Sequence, residues 1–393
     1  MADKIRVMQI IRSFNIASGG GGEERFVTEI VKKFDQRRFE ISVCGLWEVG
    51  TIEELDRRHA LNSMNISTFI AARWKEKHPY CSMWNAMRGL GGVLRSYPVD
   101  IIHVHSPFGE MAVLPVRFYR NPPKLIQTIH TKLKVEFILR SLRRFLLSSF
   151  LDPFLFDREI GVSAEVVEML DHRLLSRLFG KKAILVANGI NLERFSNLSF
   201  DIPAKRCSLG IPSDALVVGS IGRLVKLKGW TYLIHSASLV LRQEPDVYFV
   251  IIGDGKLMDQ LKYQAEQAGI SSHVVFTGGR SDVEELLLSL DLFVSSSLKE
   301  ALPTVVLESM AAGIPIVATN IPGTRDLIHD KQNGWLVPPA DSTALAKAIL
   351  IALKDSKSRR EFSERLYRDV QPFTIESVVS EYERIYSTVI KSA

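Results

Sequence analysis

The chain has 393 residues, more than one hydrophobic core ordinarily serves, so two domains are expected. It is 46% apolar and 24% charged with a mean hydropathy near zero, and it holds no run of about 18 apolar residues. These numbers are typical of a globular protein and exclude a disordered or membrane-spanning chain.

The net charge of +6 is unevenly distributed. Residues 1–200 hold 29 Lys and Arg against 21 Asp and Glu, whereas the remainder holds 21 against 23. A basic first half indicates an acidic partner, either a phosphate-bearing substrate or an anionic membrane surface. Nucleic acid is not expected, because no helix presents a dense Lys/Arg stripe with interleaved aromatic residues.

Cysteine usage and the N-terminus predict a cytoplasmic location. Cys44, Cys81 and Cys207 share no metal-ligand spacing, and an odd number argues against a disulfide framework. The first apolar run ends at Arg12, which is too short for a signal peptide and predicts a first strand.

Both halves alternate strand and helix patterns along the chain. In the first half, the strand-like runs are KIRVMQII, FEISVCGL, VDIIHVH, KLIQTIH, IGVS and KAILVANGI. RFVTEIVKKF and AEVVEML have helical spacing, and Ser163 is a suitable cap for the second. In the second half, the strand-like runs are ALVVGSIGRL, DVYFVIIGDG, HVVFTGG, DLFVSSS and IPIVATN.

Strands that alternate with helices predict parallel sheets, so the expected fold class is α/β with two consecutive doubly wound, Rossmann-like domains. We expect an N-terminal domain over 1–196, a linker over 197–214 and a second domain over 215–371. An amphipathic C-terminal helix is expected within 372–393, packing back toward the N-terminal domain. Ligands of open sheets bind beyond the carboxyl ends of the strands, so two such domains would face a central cleft.

Glycines mark two strand ends. Gly19–Gly22 follow the first strand and precede a helix, where glycine lets a ligand approach the backbone and the helix start offers N–H groups to an anion. A flexible loop is the alternative. Gly253 and Gly255 begin a dinucleotide fingerprint, but Met258 occupies its third glycine position, so a nicotinamide enzyme is rejected.

Two cations and two acids in the second half are candidate site residues. Arg223 and Lys228 lie just past a strand, where they can bind a diphosphate or form a solvated basic loop. Glu300 precedes Pro303, a residue favoured at a helix start, and Glu308 follows more than one turn later. The intervening residues are mostly apolar, so these carboxylates need partners.

Histidines lie at strand ends in the first half. His103 and His105 alternate on one strand face, and His130 follows the next strand. Further metal donors are not evident nearby and no Asp-x-Asp occurs, so no metal is expected. On residues alone, a structural role for His130 stays open beside a site role.

The segment Lys132–Leu151 combines apolar residues near helical spacing with Arg140, Arg143 and Arg144. It predicts either a helix that lies on an anionic membrane or a domain helix with a solvated face.

A series of motifs follows along the chain: GGGGEE, DIIHVH, TIHT, VANGINLERF, GRLVKLKG, IIGDG, FTGG, the two glutamates eight residues apart, GIPIVATNIPG and NGWLVPPAD. In this order they resemble the motifs of a GT-B glycosyltransferase of family 4. The resemblance covers nearly the whole chain. It implies a retaining, metal-independent glycosyltransferase without a cofactor that takes a nucleotide sugar, most often a UDP-sugar. The acceptor would be lipid-linked or a glycan in polysaccharide or glycoconjugate synthesis, and the enzyme would be peripheral on the cell membrane.

The resemblance also implies roles for residues. Arg223 and Lys228 would bind the donor diphosphate, Glu300 and His130 the donor sugar, and Glu308 the ribose. The remaining implied donor-binding residues are Gly20, Gly21, Gly22, Gly278, Arg280, Ala301, Leu302, Pro303 and Thr304. Ala301-Leu302-Pro303 stands where the family often has Gly-Phe-Gly, and Pro303 cannot donate a backbone N–H.

Two other functions remain as alternatives. One is a nucleotide-sugar epimerase of the same architecture, which would need acid and base groups at C2 of the sugar. The other is a non-catalytic glycan-assembly subunit, against which the joint presence of Arg223, Lys228, Glu300 and Glu308 argues.

Overall fold

The computed structural model describes residues 4–15, 22–74, 79–130, 152–196 and 198–391. The chain divides into two compact units. Unit 1 comprises Met1–Gly189 together with Ile375–Ala393, and unit 2 comprises Ile190–Thr374.

Unit 1 is built on a parallel sheet. Its strands are β1 (Ile5–Ile11), β2 (Phe39–Glu48), β3 (Ser67–Arg73), β4 (Ile101–Val104), β5 (Lys124–Ile129), β6 (Arg158–Gly161) and β7 (Ile184–Leu185). Their order in the sheet is β3-β2-β1-β4-β5-β6-β7. The central strands are apolar on both faces, as expected for a sheet that helices cover on both sides.

The helices of unit 1 begin at sequence signals. They are α1 (Gly22–Ile30), α2 (Ile52–Ser63), α3 (Pro79–Ser96), α4 (Pro107–Val113), α5 (Asp152–Leu155), α6 (Ala164–Asp171), α7 (Leu174–Leu178) and, from the chain's end, α17 (Ile375–Lys391). The side chains of Thr51, Ser106 and Ser163 accept backbone N–H groups at the starts of α2, α4 and α6.

The two faces of the unit 1 sheet pack separate cores. Val7 and Ile11 point to one face with α17, whereas Met8 and Ile10 point to the other. Seven apolar or aromatic side chains of α17 complete the first core, so the last helix of the chain is an integral part of unit 1. This face therefore joins residues that are more than 370 positions apart in sequence.

Unit 2 contains a second parallel sheet. Its strands are β8 (Leu216–Ile221), β9 (Val247–Ile252), β10 (Val274–Gly278), β11 (Leu292–Ser295), β12 (Ile316–Thr319) and β13 (Trp335–Val337). The strand order is β10-β9-β8-β11-β12-β13. From β8 the chain first adds β9 and β10 on one side and then adds β11, β12 and β13 on the other, as in a doubly wound nucleotide-binding sheet.

Helices lie between the strands of unit 2. They are α8 (Glu193–Ser196), α9 (Ile202–Ser208), α10 (Trp230–Leu241), α11 (Met258–Gln267), α12 (Val283–Leu288), α13 (Thr304–Ala311), α14 (Pro322–Arg325), α15 (Ser342–Lys354) and α16 (Ser356–Asp369). Short 3-10 turns occur at Lys226–Lys228, Ser271–His273 and Gln371–Phe373.

The segment 197–214, expected as a linker, carries helix α9 and lies in unit 2. Lys205 bonds the carboxylates of Asp282 and Glu285, and Arg206 bonds Asp291 at 3.0 Å. Residues 190–196, expected in the first domain, also lie in unit 2. The chain thus crosses into unit 2 at Ile190, near the end of the VANGI motif.

Within the described ranges, no helix has the length and apolar character needed to cross a membrane.

Candidate functional site

The carboxyl edge of the unit 2 sheet brings together the sequence-predicted cations and acids. Arg223 and Lys228 follow β8, and Glu300 follows β11. These strands are neighbours at the point where the sheet order reverses, the position at which doubly wound sheets bind ligands.

Lys228 and Glu300 form an ion pair at this edge. The Lys228 Nζ lies 2.5 Å from Glu300 Oε1, and the Ser297 hydroxyl donates to the same oxygen at 2.9 Å. Both side chains are mostly buried. Arg223, five residues before Lys228, is exposed, and its carbonyl accepts the indole N–H of Trp230 at 2.8 Å. A mostly buried, paired lysine and an exposed arginine that follow the same strand are a suitable anchor for a diphosphate.

Close backbone contacts fix the loop that carries Glu300. A Cβ on Gly229, whose φ is +67°, would lie 2.0 Å from the Ser296 carbonyl oxygen. A Cβ on Gly323 would lie 2.3 Å from the Ala301 carbonyl oxygen. The Ser296 hydroxyl donates to the Lys228 carbonyl at 2.9 Å. Glycines at 229 and 323 therefore allow three loops to pack at van der Waals distance and hold Glu300 in place.

The start of α13 follows this loop directly. Pro303 is the N-cap residue, one position earlier than its expected place at the first helical position, and its side chain makes no capping hydrogen bond. Leu302 is buried and Thr304 is exposed, while Ala301 is partly buried. Thr304 at the start of α13 and the partly buried Ala301 are consequently the parts of this segment that can face a ligand.

Glu308 has a different partner from Glu300. It is only 8% exposed, and its Oε1 lies 3.3 Å from the Nη1 of Arg194 on α8. Arg194 also binds Glu284 on α12, with its Nε 2.7 Å from Oε1. Burial acts to lower the pKa of Arg194, but the charges of Glu308 and Glu284 outweigh it and raise that pKa. The two predicted acids thus belong to two separate polar clusters, and Arg194 was missed.

Gly278 and Arg280 lie at the end of edge strand β10. Gly278 has a φ of +71°, which favours glycine, and space for a Cβ is open. Arg280 forms a bidentate ion pair with Asp282, with contacts of 2.8 and 2.6 Å. The hydrogen bond from Arg280 lowers the pKa of Asp282. A ligand that engages Arg280 would have to share it with this carboxylate.

Gly253 and Gly255 have a structural explanation. A Cβ on Gly253 would lie 2.0 Å from the Gly222 carbonyl oxygen, and one on Gly255 would lie 2.6 Å from the Leu224 carbonyl oxygen. Close packing between the loops that follow β8 and β9 therefore accounts for both glycines.

The carboxyl edge of the unit 1 sheet brings the three predicted histidines together. His105 Nδ1 lies 3.4 Å from His130 Nε2, and His130 Nδ1 lies 2.9 Å from the Asn188 side-chain oxygen. His103 and His105 share a face of β4, as expected from their alternation, with ring centroids 4.2 Å apart.

The cluster continues through β1 to the C-terminal helix. His105 Nε2 lies 2.8 Å from Gln9 Oε1, and Gln9 Nε2 donates to the Tyr386 hydroxyl at 2.9 Å. That hydroxyl also bonds His103 Nδ1 at 2.7 Å. His103 Nε2 bonds the Thr128 hydroxyl at 2.8 Å. Each of these buried polar groups has a partner, so the hydrogen bonds fix the orientations of the His103 and His105 rings.

Burial makes these histidines neutral at physiological pH. It lowers the pKa of His103 to about 3 and that of His130 to about 4, and it lowers the pKa of His105 well below its usual range. The N–H of a neutral His130 is donated to the Asn188 oxygen, so its Nε2 keeps a lone pair that can accept a hydrogen bond from a sugar hydroxyl.

Some predicted residues fall outside the described ranges. Gly20 and Gly21 do, as does the segment Lys132–Leu151. Gly22 is the first residue of α1, and nothing lies within 4 Å of a Cβ placed there. Across the described part of the chain, no group of three or more His, Cys, Asp or Glu side chains is arranged to hold a metal ion. Metal independence stays a prediction.

Sequence reasoning missed residues whose roles depend on distant contacts. These residues contact acids and histidines that the sequence did single out: Arg194 contacts Glu308, Asn188 contacts His130, Gln9 contacts His105 and Tyr386 contacts His103. Asn188 and Arg194 both lie in the quoted motif VANGINLERF, so the motif itself was the available signal.

Two family models match the chain in series. The model for Glycosyltransferase Family 4 matches residues 20–194, and the model for Glycosyl transferases group 1 matches residues 201–369. Together they cover most of both units.

Characterised and putative glycosyltransferases are similar in sequence. The lipopolysaccharide core biosynthesis glycosyltransferase LpsE of Rhizobium meliloti is 33% identical over 198 residues, which are 50% of this chain and 57% of that protein. The putative glycosyltransferase EpsD of Bacillus subtilis is 29% identical, over 76% of this chain and 79% of its own. The UDP-Gal:alpha-D-GlcNAc-diphosphoundecaprenol alpha-1,3-galactosyltransferase of Escherichia coli is 27% identical, over 67% of this chain and 68% of its own.

Solved glycosyltransferase structures share the fold. A glycosyltransferase of Rickettsia africae superposes with a TM-score of 0.78 at 19% identity and covers 100% of both chains. HepE of Anabaena, solved in complex with UDP and glucose, superposes with a TM-score of 0.76 at 19% identity, over 98% of this chain and 100% of its own. The expected fold class of two doubly wound α/β domains, GT-B, is confirmed.

Proposed function

The chain belongs to family 4 of the glycosyltransferases, the group 1 enzymes with the GT-B fold, and from that membership we propose that it moves a sugar from a UDP-sugar to a lipid-linked or glycan acceptor with retention of configuration. The observation that carries the donor half of the proposal is the Lys228–Glu300 ion pair at the switch point of the unit 2 sheet.

The ion pair suits a donor that brings both charge and hydroxyl groups. When a diphosphate approaches Arg223 and Lys228, it supplies the negative charge that Glu300 now gives to Lys228. Glu300 is then available to accept hydrogen bonds from hydroxyls of the attached sugar. The pair is thereby arranged to bind the two halves of a nucleotide sugar on either side of the bond that breaks.

Further residues are proposed to bind the rest of the donor. Glu308 is the proposed partner of the ribose hydroxyls, and Arg194 holds its carboxylate in place. The turn at Gly278 and Arg280 is the proposed position of the base. The exposed Thr304 and the first turn of α13 offer N–H groups to a phosphate, and the neutral His130 is proposed to contact the donor sugar.

We propose that the leaving phosphate itself takes the acceptor's proton. The bond between the anomeric carbon and the phosphate oxygen breaks while the acceptor oxygen attacks from the same face, and the acceptor's proton passes to the diphosphate. The task of Arg223 and Lys228 is then to stabilise the negative charge of the departing UDP. This step requires no protein nucleophile and no metal.

The comparisons support the choice of donor and acceptor. The Escherichia coli relative uses UDP-galactose and a sugar linked to diphosphoundecaprenol, and HepE was solved with UDP-glucose. A lipid-linked acceptor would place the enzyme at the cytoplasmic face of a membrane. Charge reversal at Arg140, Arg143 and Arg144 should then weaken binding to anionic vesicles at low salt, and unchanged binding would contradict this placement.

Thermal stabilisation by a panel of nucleotide sugars tests the proposed donor. A UDP-sugar should raise the melting temperature, because a ligand that binds only the folded state stabilises it by mass action. Arg223→Ala and Lys228→Ala should lose most of this rise, whereas Lys262→Ala, at an exposed position of α11, should keep it. Equal stabilisation in all four proteins would contradict the assignment of Arg223 and Lys228.

A further inference from the structure

Buried polar groups connect His130 to the C-terminal helix of the chain. Gln9 on β1 is fully buried, and its side-chain amide contacts His105 on one side and the hydroxyl of Tyr386 on α17 on the other. His105 is also buried, and its ring lies next to that of His130. A path of polar contacts therefore leads from Tyr386 to the histidine that is proposed to contact the donor sugar.

The Gln9 amide determines which ring nitrogen of His105 carries the hydrogen. Gln9 Nε2 donates to the Tyr386 hydroxyl at 2.9 Å, which places Gln9 Oε1 2.8 Å from His105 Nε2. An amide oxygen only accepts hydrogen bonds, so His105 Nε2 is the donor in this contact. Because a neutral imidazole has a single N–H, the Nδ1 of His105 keeps a lone pair.

The same reasoning applies to His130. Its Nδ1 donates to the Asn188 side-chain oxygen at 2.9 Å, so its Nε2 keeps a lone pair. His105 Nδ1 and His130 Nε2 lie 3.4 Å apart, and with these tautomers neither nitrogen donates to the other. His130 is only partly buried, so its Nε2 lone pair stays available to a hydroxyl group of a ligand.

The other tautomer of His105 would remove this acceptor. If His105 carried its hydrogen on Nδ1, that N–H would donate to His130 Nε2 and occupy the lone pair. Gln9 opposes this tautomer, because its Oε1 and an unprotonated His105 Nε2 would then be two acceptors 2.8 Å apart. Tyr386 opposes rotation of the Gln9 amide, because its hydroxyl accepts the hydrogen bond that Gln9 Nε2 donates.

We propose that Gln9 and Tyr386 are positioning residues: they hold His105 in the tautomer with its hydrogen on Nε2 and thereby keep His130 able to accept a hydrogen bond from a hydroxyl of the donor sugar. The inference rests on the proposed contact of His130 with that sugar. It deepens that proposal, because it assigns a role in sugar recognition to one residue of β1 and one of the C-terminal helix.

Two substitutions should invert the His105 tautomer. In Tyr386→Phe, Gln9 Nε2 loses its acceptor, and rotation of the amide gives it a new one at His105 Nε2. The hydrogen of His105 then moves to Nδ1 and is donated to His130. In Gln9→Leu, His105 Nε2 loses its acceptor, so the same tautomer is favoured without any change in the C-terminal helix.

NMR of protein with nitrogen-15-labelled histidine reads the tautomer without a ligand, because a protonated ring nitrogen and one with a lone pair differ widely in chemical shift. The chain has nine histidines, so the signals can be assigned by single substitutions. The wild type should show His105 protonated on Nε2, whereas Tyr386→Phe and Gln9→Leu should show it protonated on Nδ1.

Tyr382→Phe is the matched control for the C-terminal helix. Tyr382 is as fully buried as Tyr386, but its hydroxyl contacts the Thr128 hydroxyl at 3.3 Å, outside the path from Tyr386 to His130. This variant should keep the wild-type tautomer of His105.

Calorimetric titration measures the consequence for recognition, with UDP, UDP-glucose, UDP-galactose and UDP-N-acetylglucosamine as probes. The wild type should bind at least one of the UDP-sugars more tightly than UDP. Tyr386→Phe and Gln9→Leu should weaken the binding of that UDP-sugar about fivefold, as expected for one lost hydrogen bond. Both should bind UDP normally, since UDP has no sugar for His130 to contact, and Tyr382→Phe should bind both ligands normally.

Three results would overturn the positioning role. One is a wild-type His105 protonated on Nδ1, and another is a tautomer that stays unchanged in both Tyr386→Phe and Gln9→Leu. The third is an equal loss of affinity for UDP and the UDP-sugar, or no loss for either, in variants whose tautomer has inverted. A wild type that binds none of the UDP-sugars would contradict the proposed function itself, and the tautomers measured without a ligand decide the positioning role separately.

Discussion

Tyr386 is the residue on which the histidine cluster of unit 1 depends. Its hydroxyl bonds both Gln9 Nε2 and His103 Nδ1, whereas the Tyr382 hydroxyl has one longer contact of 3.3 Å with Thr128. Both tyrosines are fully buried on the same helix face. They therefore form a natural pair of variants in which only the number of hydrogen bonds differs.

Tyr386→Phe should lower the free energy of unfolding by about 2 kcal/mol, because two buried polar groups lose their partner. Tyr382→Phe should cost less than about 1 kcal/mol by the same reasoning. Chemical denaturation followed by the fluorescence of unit 1 tryptophans measures both values. Equal losses in the two variants would show that the cluster is not organised by Tyr386.

The neutral histidines predict how stability depends on pH. The pKa of His103 is lowered to about 3 and that of His130 to about 4, whereas unfolded histidine has a pKa near 6.5. Below pH 6.5 the folded state thus binds fewer protons than the unfolded state. The contribution of these histidines to stability is fully present above that pH and is lost as the pH falls toward 4.

The expected slope is about 1.4 kcal/mol per pH unit for each such histidine. Denaturation curves between pH 7 and pH 4.5 measure this slope, and His103→Gln should reduce it by the contribution of one proton. A wild-type stability that does not change over this range would contradict neutral, buried histidines.

At the scale of elements, the proposed donor site is formed by loops that follow β8, β11 and β12. Gly229 and Gly323 allow these loops to touch, and the side chains of Ser296 and Thr319 bond the backbone of the neighbouring loop. Rigid backbone packing, rather than side-chain flexibility, thereby sets the position of Glu300 relative to Lys228.

Gly229→Ala tests this packing, and Gly269→Ala is its matched control. Both glycines have a positive φ, at +67° and +69°, but a Cβ at 269 meets nothing within 4 Å, whereas one at 229 meets the Ser296 carbonyl. The control should lose about 1 kcal/mol of stability and keep its response to a UDP-sugar. Gly229→Ala should lose more stability and most of that response; an intact response would contradict a fixed loop.

The elements also show what the sequence could predict. Continuous apolar runs located most strands, and Ser163 marked a helix start correctly. Strand β3 was not predicted, because Ser67–Arg73 is only half-buried and mixes polar and small residues with its apolar ones. Helix α9 was not predicted either, since two prolines near it indicate a linker and its contacts to α12 are set by tertiary structure.

The limit of prediction from sequence is clearer still for the candidate site. Lys228 and Glu300 could be predicted because each follows a strand, and neighbouring strands place their ends together. The pairing of Glu308 with Arg194 joins positions 114 apart, and that of His103 with Tyr386 joins positions 283 apart. Such contacts depend on how helices pack on a sheet, for which no local pattern exists.

At the scale of the whole molecule, each unit supplies one chemical requirement of glycosyl transfer. Unit 2 carries cations and acids at its switch point, which suit a nucleotide sugar. Unit 1 carries neutral histidines, which suit hydrogen bonds with sugar hydroxyls. The chain also returns at Ile375 to complete unit 1, so the two units are linked by two crossings of the backbone.

The most direct test of the central claim is proton NMR of the sugar released when the enzyme slowly hydrolyses its donor without an acceptor. With UDP-glucose, UDP-galactose and UDP-N-acetylglucosamine as candidates, the account predicts release from at least one, with the α anomer formed first. Glu300→Ala should abolish this release, whereas Glu266→Ala, at an exposed position of α11, should not. Initial formation of the β anomer, or equal release by Glu300→Ala, would contradict it.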